Sequence, residues 1–382
     1  MSSYFFLLGN TPELSLLELR SLLGDDVTPI TEDVAHAEIK DDETAKAIFK
    51  KTGGTVKLVK QVKELSEDEQ ESLKEIAAYL VDRKLEGKLT FGLGLLGEPS
   101  LEISETQIKK SIKKHFDLPS RFIEHIKTGL SAAVLLHQND VIEVAVVGSL
   151  DKIYLGETID VQDIDDWTKR DRRKPYADSK KGMLPPKVAR MMVNIGTGNT
   201  SKTIYDPFCG TGTVLLEGLM TGHNVVGSDI DGRATSGAEK NIEWLRDQYD
   251  GINGESKLFF IDATQVAKLE ELRKNPVDVI ITEPFLGKPK PKFKELNNVF
   301  KGLEKMYLGA FKAFREVLKG GGKIVIVFPM VETPKKTFDL AKLIDKLEQL
   351  GYTTTSDPVV YARFGAVVQR QIFVFTLNKK LK

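Results

Sequence analysis

The sequence has one cysteine and five histidines in 382 residues. Without a second thiol there is no disulfide framework, and zinc sites built on cysteine pairs are excluded as well. A surplus of charge is also missing, because 55 Lys and Arg balance 55 Asp and Glu. A neutral total neither supports nor excludes nucleic acid, since a basic patch can sit inside it. No apolar run approaches the ~20 residues of a membrane helix. The opening MSSYFFLLGN lacks the basic start and small-residue cleavage site of a signal peptide. These absences lead to the expectation of a cytoplasmic protein with no membrane partner and no bound metal.

What is present is a globular composition, 41% hydrophobic and 29% charged, in a chain long enough for two or three domains. The first 160 residues alternate strand and helix signals. YFFLLG reads as a strand, and Thr11-Pro12-Glu13 opens a helix with a cap, a proline and an acid. TVKLVKQVKEL has the period of two of a strand, and Ser66-Glu67-Asp68-Glu69 has the form of a capping box. Helical spacing covers SETQIKKSIKKHF, and RFIEHIK, SAAVLLH and VIEVAVVG read as strands. No catalytic constellation stands out in this half.

From Asp163 to Lys187 the chain turns polar and charged, with three prolines and no periodicity, as expected of a linker. Its basic cluster includes Arg170, Arg172, Arg173 and Lys174, beside Trp167 and Tyr176. A solvated linker and a phosphate-backbone contact are both open readings. The same two readings apply to Lys109 and Lys113 on the QIKKSIKKHF helix.

After Pro185 short apolar strands alternate strictly with helices, which predicts an α/β fold with a doubly wound, mostly parallel sheet. Ligands of such sheets bind at the carboxyl ends of the strands. Four successive strand ends carry an acid: Asp206 in DPFCGTGT, Asp229 in GSDID, Asp262 in FFIDAT and Glu283 in TEPFLG. The glycine turn at Gly210-Thr211-Gly212 lacks the lysine of a phosphate-binding loop and the third glycine of a dinucleotide fingerprint, position 215 being leucine. An acid four residues ahead of such a turn suits a cationic ligand carrying an adenosine. S-adenosylmethionine has those groups: an ammonium, a sulfonium, a carboxylate for a helix N-terminus, and ribose and adenine donors for Asp229 and Asp262.

Here the sequence resembles the class I methyltransferases, whose amino-methylating members end the fourth strand in D/N-P-P-Y/F. The resemblance implies that Asp206, Pro207, Gly210, Thr211, Gly212, Asp229, Asp262 and Ala263 hold the cofactor. Glu283, Pro284 and Phe285 would then form the catalytic corner. TEPFLG overlays T-D-P-P-Y-G with Glu283 in the acid's place and Leu286 at the aromatic. A one-residue shift puts Phe285 at the aromatic and Thr282 at the acid, and the first register is preferred because it keeps a carboxylate.

KGMLPPKVARMMVNIG, DPFCGTGTVLLEG, GSDID and TEPFLG are further similar to the archaeal and eukaryotic guanosine N2-methyltransferases that modify position ten of tRNA. That resemblance implies a ferredoxin-like domain over 1–60, a THUMP-like RNA-binding domain over 61–162, a linker over 163–182 and a Rossmann-like, seven-stranded methyltransferase domain over 183–382. tRNA would be the partner, and the need for a small activating subunit, met in the eukaryotic members, stays open. A DNA adenine or cytosine N-methyltransferase and a catalytically silent RNA-binding relative are the competing readings. Cys209, His115 and His125 read as packed or surface residues.

Overall fold

The computed structural model describes residues 1–84, 88–124, 127–138, 140–149, 151–177, 183–362 and 365–378. His125 and the end of the expected linker, 178–182, lie outside the described residues. The chain divides into two units, Met1–Thr168 and Lys169–Lys382.

The first unit begins with β1 (Ser2–Leu8), α1 (Pro12–Leu23), β2 (Thr28–Pro29), β3 (Val34–Ile39), α2 (Asp42–Lys51) and β4 (Thr55–Leu65). It continues with α3 (Glu69–Asp82), β5 (Leu89–Gly97), α4 (Glu105–Phe116), β6 (Ser120–Phe122), α5 (Ala132–His137), β7 (Val141–Gly148) and β8 (Ile153–Val161). Local chemistry starts these helices. The Asp41 carboxylate accepts from Thr44 N at 2.8 Å ahead of α2, and Ser104 and Gln107 close a capping box on α4. The α3 cap is Asp68 rather than Ser66, whose hydroxyl instead accepts from Asp68 N.

The strands form one sheet in the order β2-β3-β1-β4-β8-β7-β5-β6. The boundary expected near residue 60 therefore falls inside β4, which pairs with β1 on one side and β8 on the other. SAAVLLH is a helix and not the expected strand. A five-residue apolar run fits either period, and the Ser131 hydroxyl, accepting from Val134 N, caps it as α5. Of the described residues of RFIEHIK, only Arg121 and Phe122 are in a strand, at the end of β6. A buried ion pair crosses the sheet, with Lys57 Nζ 2.7 Å from Glu143, which also accepts from Thr158 Oγ1 at 2.7 Å. These bonds offset the cost of taking both charges out of water.

α6 (Ile164–Arg172) occupies much of the expected linker, so that stretch is helical where composition suggested irregular chain. The second unit continues with α7 (Pro186–Thr197), β9 (Thr203–Asp206), α8 (Thr213–Met220), β10 (Asn224–Asp229), α9 (Gly232–Gln248), β11 (Ser256–Phe260) and α10 (Glu270–Lys274). After these come β12 (Val277–Thr282), α11 (Leu296–Val317), β13 (Leu318–Glu332), β14 (Thr337–Phe338), α12 (Ala341–Gln349), β15 (Tyr352–Thr354), β16 (Val359–Tyr361) and β17 (Gln369–Leu377). Seven strands run in the order β11-β10-β9-β12-β13-β17-β15, with β14 paired to β13 and β16 to β17. The five from β11 to β13 are parallel, and β17 lies antiparallel to β13 and β15. The expected mostly parallel sheet of seven is thus present with two short additions. Continuous apolar runs such as Val279-Ile280-Ile281 suit strands covered on both faces. An aromatic cluster anchors one face, with Tyr307 stacked on Phe328 at 5.2 Å and Phe311 edge-on to Tyr352 at 5.1 Å.

Candidate active site

The strand order reverses at β9, which has β10 on one side and β12 on the other. Loops leaving neighbouring strands diverge at such a point and open a crevice. A cavity of about 620 Å³ lies there, within the size range of small-ligand sites. Asp206, Pro207, Gly210, Thr211, Asp229, Asp262, Ala263, Glu283, Pro284 and Phe285 all line it. Gly212 stands behind them as the N-cap of α8.

The turn after β9 needs its glycines. Gly210 and Gly212 have φ of 51° and 84°, and a Cβ on Gly212 would come within 3.1 Å of the Ala238 methyl. Asp229 at the end of β10 braces this turn, one carboxylate oxygen accepting from Gly210 N at 2.9 Å and the other from Asp231 N at 2.9 Å. Ile230 beside it is 67% exposed and offers the cavity an apolar surface. Asp262 caps the short 3₁₀ turn Ala263–Lys268 by accepting from Thr264 N and Oγ1, both at 2.7 Å.

Asp206 is the electrostatically stressed member. It is 2% exposed and accepts from Thr282 Oγ1 at 2.6 Å and Phe208 N at 3.1 Å, neither of them a cation. Burial, reinforced by the nearby charges of Asp229 and Glu283, pushes its carboxyl up to about 7, although the two hydrogen bonds pull the other way.

Glu283 follows the last residue of β12. Arg370 Nε on β17 donates to it at 2.5 Å, and both side chains are 13% exposed. Phe285 holds its ring 62% exposed at the cavity while its carbonyl accepts from Tyr307 Oη at 2.8 Å. Burial pushes the Tyr307 hydroxyl well above its ordinary range, with Glu283 adding to the effect, so it stays a donor. Cys209 is buried and its thiol is pushed up, which fits the packed role read from the sequence and not a nucleophile.

The basic cluster divides. Arg172 and Arg173 are exposed. Arg170 and Lys174 are buried, which corrects their expected role as surface phosphate contacts. Arg170 Nε meets Glu217 at 2.9 Å, Arg190 reaches the same carboxylate at 2.7 Å, and Lys174 Nζ lies 3.2 Å from Thr213 Oγ1. Glu217, inside the apolar helix α8, draws these cations inward. In the first unit Lys109 and Lys113 are exposed, Lys109 over the Phe122 ring at 5.9 Å and Lys113 paired with Asp117.

Some contributors to the site were not anticipated. Arg370, in the cavity wall, donates to Glu283, and buried Thr282, behind the wall, donates to Asp206. Tyr176 forms part of the wall, pinned by Asn241, whose amide oxygen accepts from Tyr176 N and whose amide nitrogen donates to Tyr176 O and Thr211 O. A glycine at 237 lets the Tyr176 ring lie on α9, since a Cβ there would stand 2.1 Å from the ring. Among the described residues no cluster of His, Cys, Asp and Glu is arranged to hold a metal ion, and no helix is long and apolar enough to cross a membrane.

Residues 172–355 match the family model of UPF0020, the RMKL-like methyltransferase domain. A tRNA (guanine(10)-N2)-dimethyltransferase of Methanocaldococcus jannaschii is 28% identical over 243 residues, 60% of this chain and 64% of that protein. Its namesake in Methanothermobacter thermautotrophicus is 33% identical over 43% of this chain and 42% of its own length. The tRNA (guanine(10)-N(2))-methyltransferase of Saccharomyces cerevisiae is 32% identical over 36% of this chain and 31% of its own length. The chain therefore spans less than two thirds of the length of these curated relatives. Among solved structures, TrmN from Thermus thermophilus is similar in fold, with a TM-score of 0.56 and 15% identity over 99% of this chain and 100% of its own. Residues 172–355, within the second unit, are thus similar to the RMKL-like methyltransferase domain, and the likeness to TrmN is one of α/β fold.

Proposed function

We propose that this chain is an S-adenosylmethionine-dependent methyltransferase acting on the exocyclic N2 amine of a guanosine in tRNA, at position ten. The observation that carries the reading is the shared cavity, in which Glu283 stands beside Asp206, Asp229 and Asp262 at one sheet edge. The names of the curated relatives support the substrate.

The cavity residues fit the cofactor. Asp206, buried and reluctant to ionise, gains most from a bound cation, and the ligand's ammonium is one. The N-terminus of α8, behind the glycine turn, favours the ligand's carboxylate. Asp229 offers an acceptor to ribose hydroxyls, and exposed Ile230 offers an apolar face to adenine. Bound there, S-adenosylmethionine supplies an electrophilic methyl group on a sulfonium.

Guanine N2 is a weak nucleophile because its lone pair is shared with the ring. Glu283 accepts its hydrogens, which turns the lone pair out of conjugation and toward the methyl group. The proton lost on transfer leaves by way of that carboxylate. The exposed Phe285 ring is placed to stack on a base turned out of the RNA, which makes it the stacking ring although Glu283 keeps the acid's place. Exposed Arg172 and Arg173 are the phosphate contacts the reading retains in the second unit. The first unit, with Lys109 exposed on α4, is the RNA-holding module in this reading.

Glu283→Ala tests it. Affinity for cofactor and tRNA should stay within a few-fold of wild type while turnover falls by on the order of 100-fold or more. A variant as active as wild type would remove the carboxylate from the mechanism.

A further inference from the structure

We infer that Arg370 reads the target base, donating to the O6 of guanine while Glu283 takes its amine, and so sets which purine is methylated. The inference rests on the functional reading above and names the group that would give it base specificity. Arg370 lies on β17, 87 residues beyond Glu283, yet lines the same cavity and donates Nε to the Glu283 carboxylate. A guanidinium has five N–H donors in a planar fork, so one bond to Glu283 leaves it well able to serve a ligand. Among the described residues its terminal nitrogens meet no protein acceptor, and the Tyr361 ring, 6.0 Å away, braces the guanidinium.

The pair presents an acceptor and a donor side by side. Along one edge guanine offers two donors, N2–H and N1–H, and then the O6 acceptor. A carboxylate spanning N2–H and N1–H brings a guanidinium at its flank level with O6. Arginine is well suited to guanine O6, and a charge-assisted bond inside a half-closed cavity discriminates more strongly than a neutral one. A base without O6 would leave this arginine without that partner, and the penalty would appear in the rate.

The test uses tRNA assembled from synthetic pieces, with guanosine or 2-aminopurine riboside at the position that wild type is found to methylate. 2-Aminopurine keeps the amine and lacks O6 and N1–H. Wild type should lose about ten- to a hundred-fold in kcat/KM on the analogue. Arg370→Met, checked for native cofactor affinity by calorimetry, should lose activity on guanosine and show most of that gap closed. If that variant does not fold, Arg370→Leu, which also lacks a donor, takes its place with the same expectation. An orienting role alone would slow both substrates equally, so an undiminished gap in the variant overturns the inference, as does a wild type indifferent to the analogue. Either result leaves the functional reading standing, whereas wild type that transfers no methyl to guanosine in any tRNA would refute that reading instead.

Discussion

Replacing Asp206 by asparagine should stabilise the cofactor-free protein and weaken its hold on S-adenosylmethionine. The carboxyl is pushed from 3.8 to about 7, mainly by burial, so keeping it ionised above pH 7 costs the fold about 4 kcal/mol. The folded state keeps the proton where the unfolded chain has lost it. Wild-type stability from this group is therefore full below pH 3.8, declines as pH rises to about 7, and is flat beyond. Asparagine removes the cost and keeps an oxygen for Thr282 Oγ1 and Phe208 N, but its amide hydrogens need acceptors of their own. The net gain above pH 7 should be about 1–3 kcal/mol, shrinking toward zero as pH falls to about 4. Denaturant unfolding without cofactor at about pH 5 and about pH 8 measures this, and calorimetry measures the affinity lost with the anion. A variant that is no more stable at the higher pH, or that binds the cofactor as wild type does, refutes the reasoning.

Two further outcomes follow from the basic cluster. Glu217→Ala removes the buried carboxylate that Arg170 and Arg190 share and should cost about 3–5 kcal/mol, seen as a lower Tm; a loss below about 1 kcal/mol would mean that water or neighbours already carry those charges. Arg172→Ala with Arg173→Ala should leave Tm unchanged, weaken tRNA binding and reduce its salt dependence by about one counterion per residue. An unchanged salt slope would take these residues out of the RNA interface.

The strand-end acids were legible because a parallel sheet is a sequence of local units. Each apolar run ends where its strand leaves the core, and Asp206, Asp229, Asp262 and Glu283 fall at or just past those points. Arg370 was not legible, because it reaches the cavity through antiparallel pairing of β17 with β13, a long-range register that no local pattern encodes. The basic stretch misled for a related reason, since composition reports charge and not what lies opposite. The one signal was Glu217, an acid set within the apolar helix TVLLEGLM, which needs an internal cation. At 131–137 an apolar run too short to show its period was decided by a serine cap.

The most direct measurement is methyl transfer from labelled S-adenosylmethionine to unmodified tRNA transcript, followed by digestion to nucleosides and mass spectrometry. Label should appear in N2-methylated guanosine, map to position ten and be absent with Glu283→Ala. Label in another nucleoside, or equal N2-methylguanosine from the variant, would contradict it.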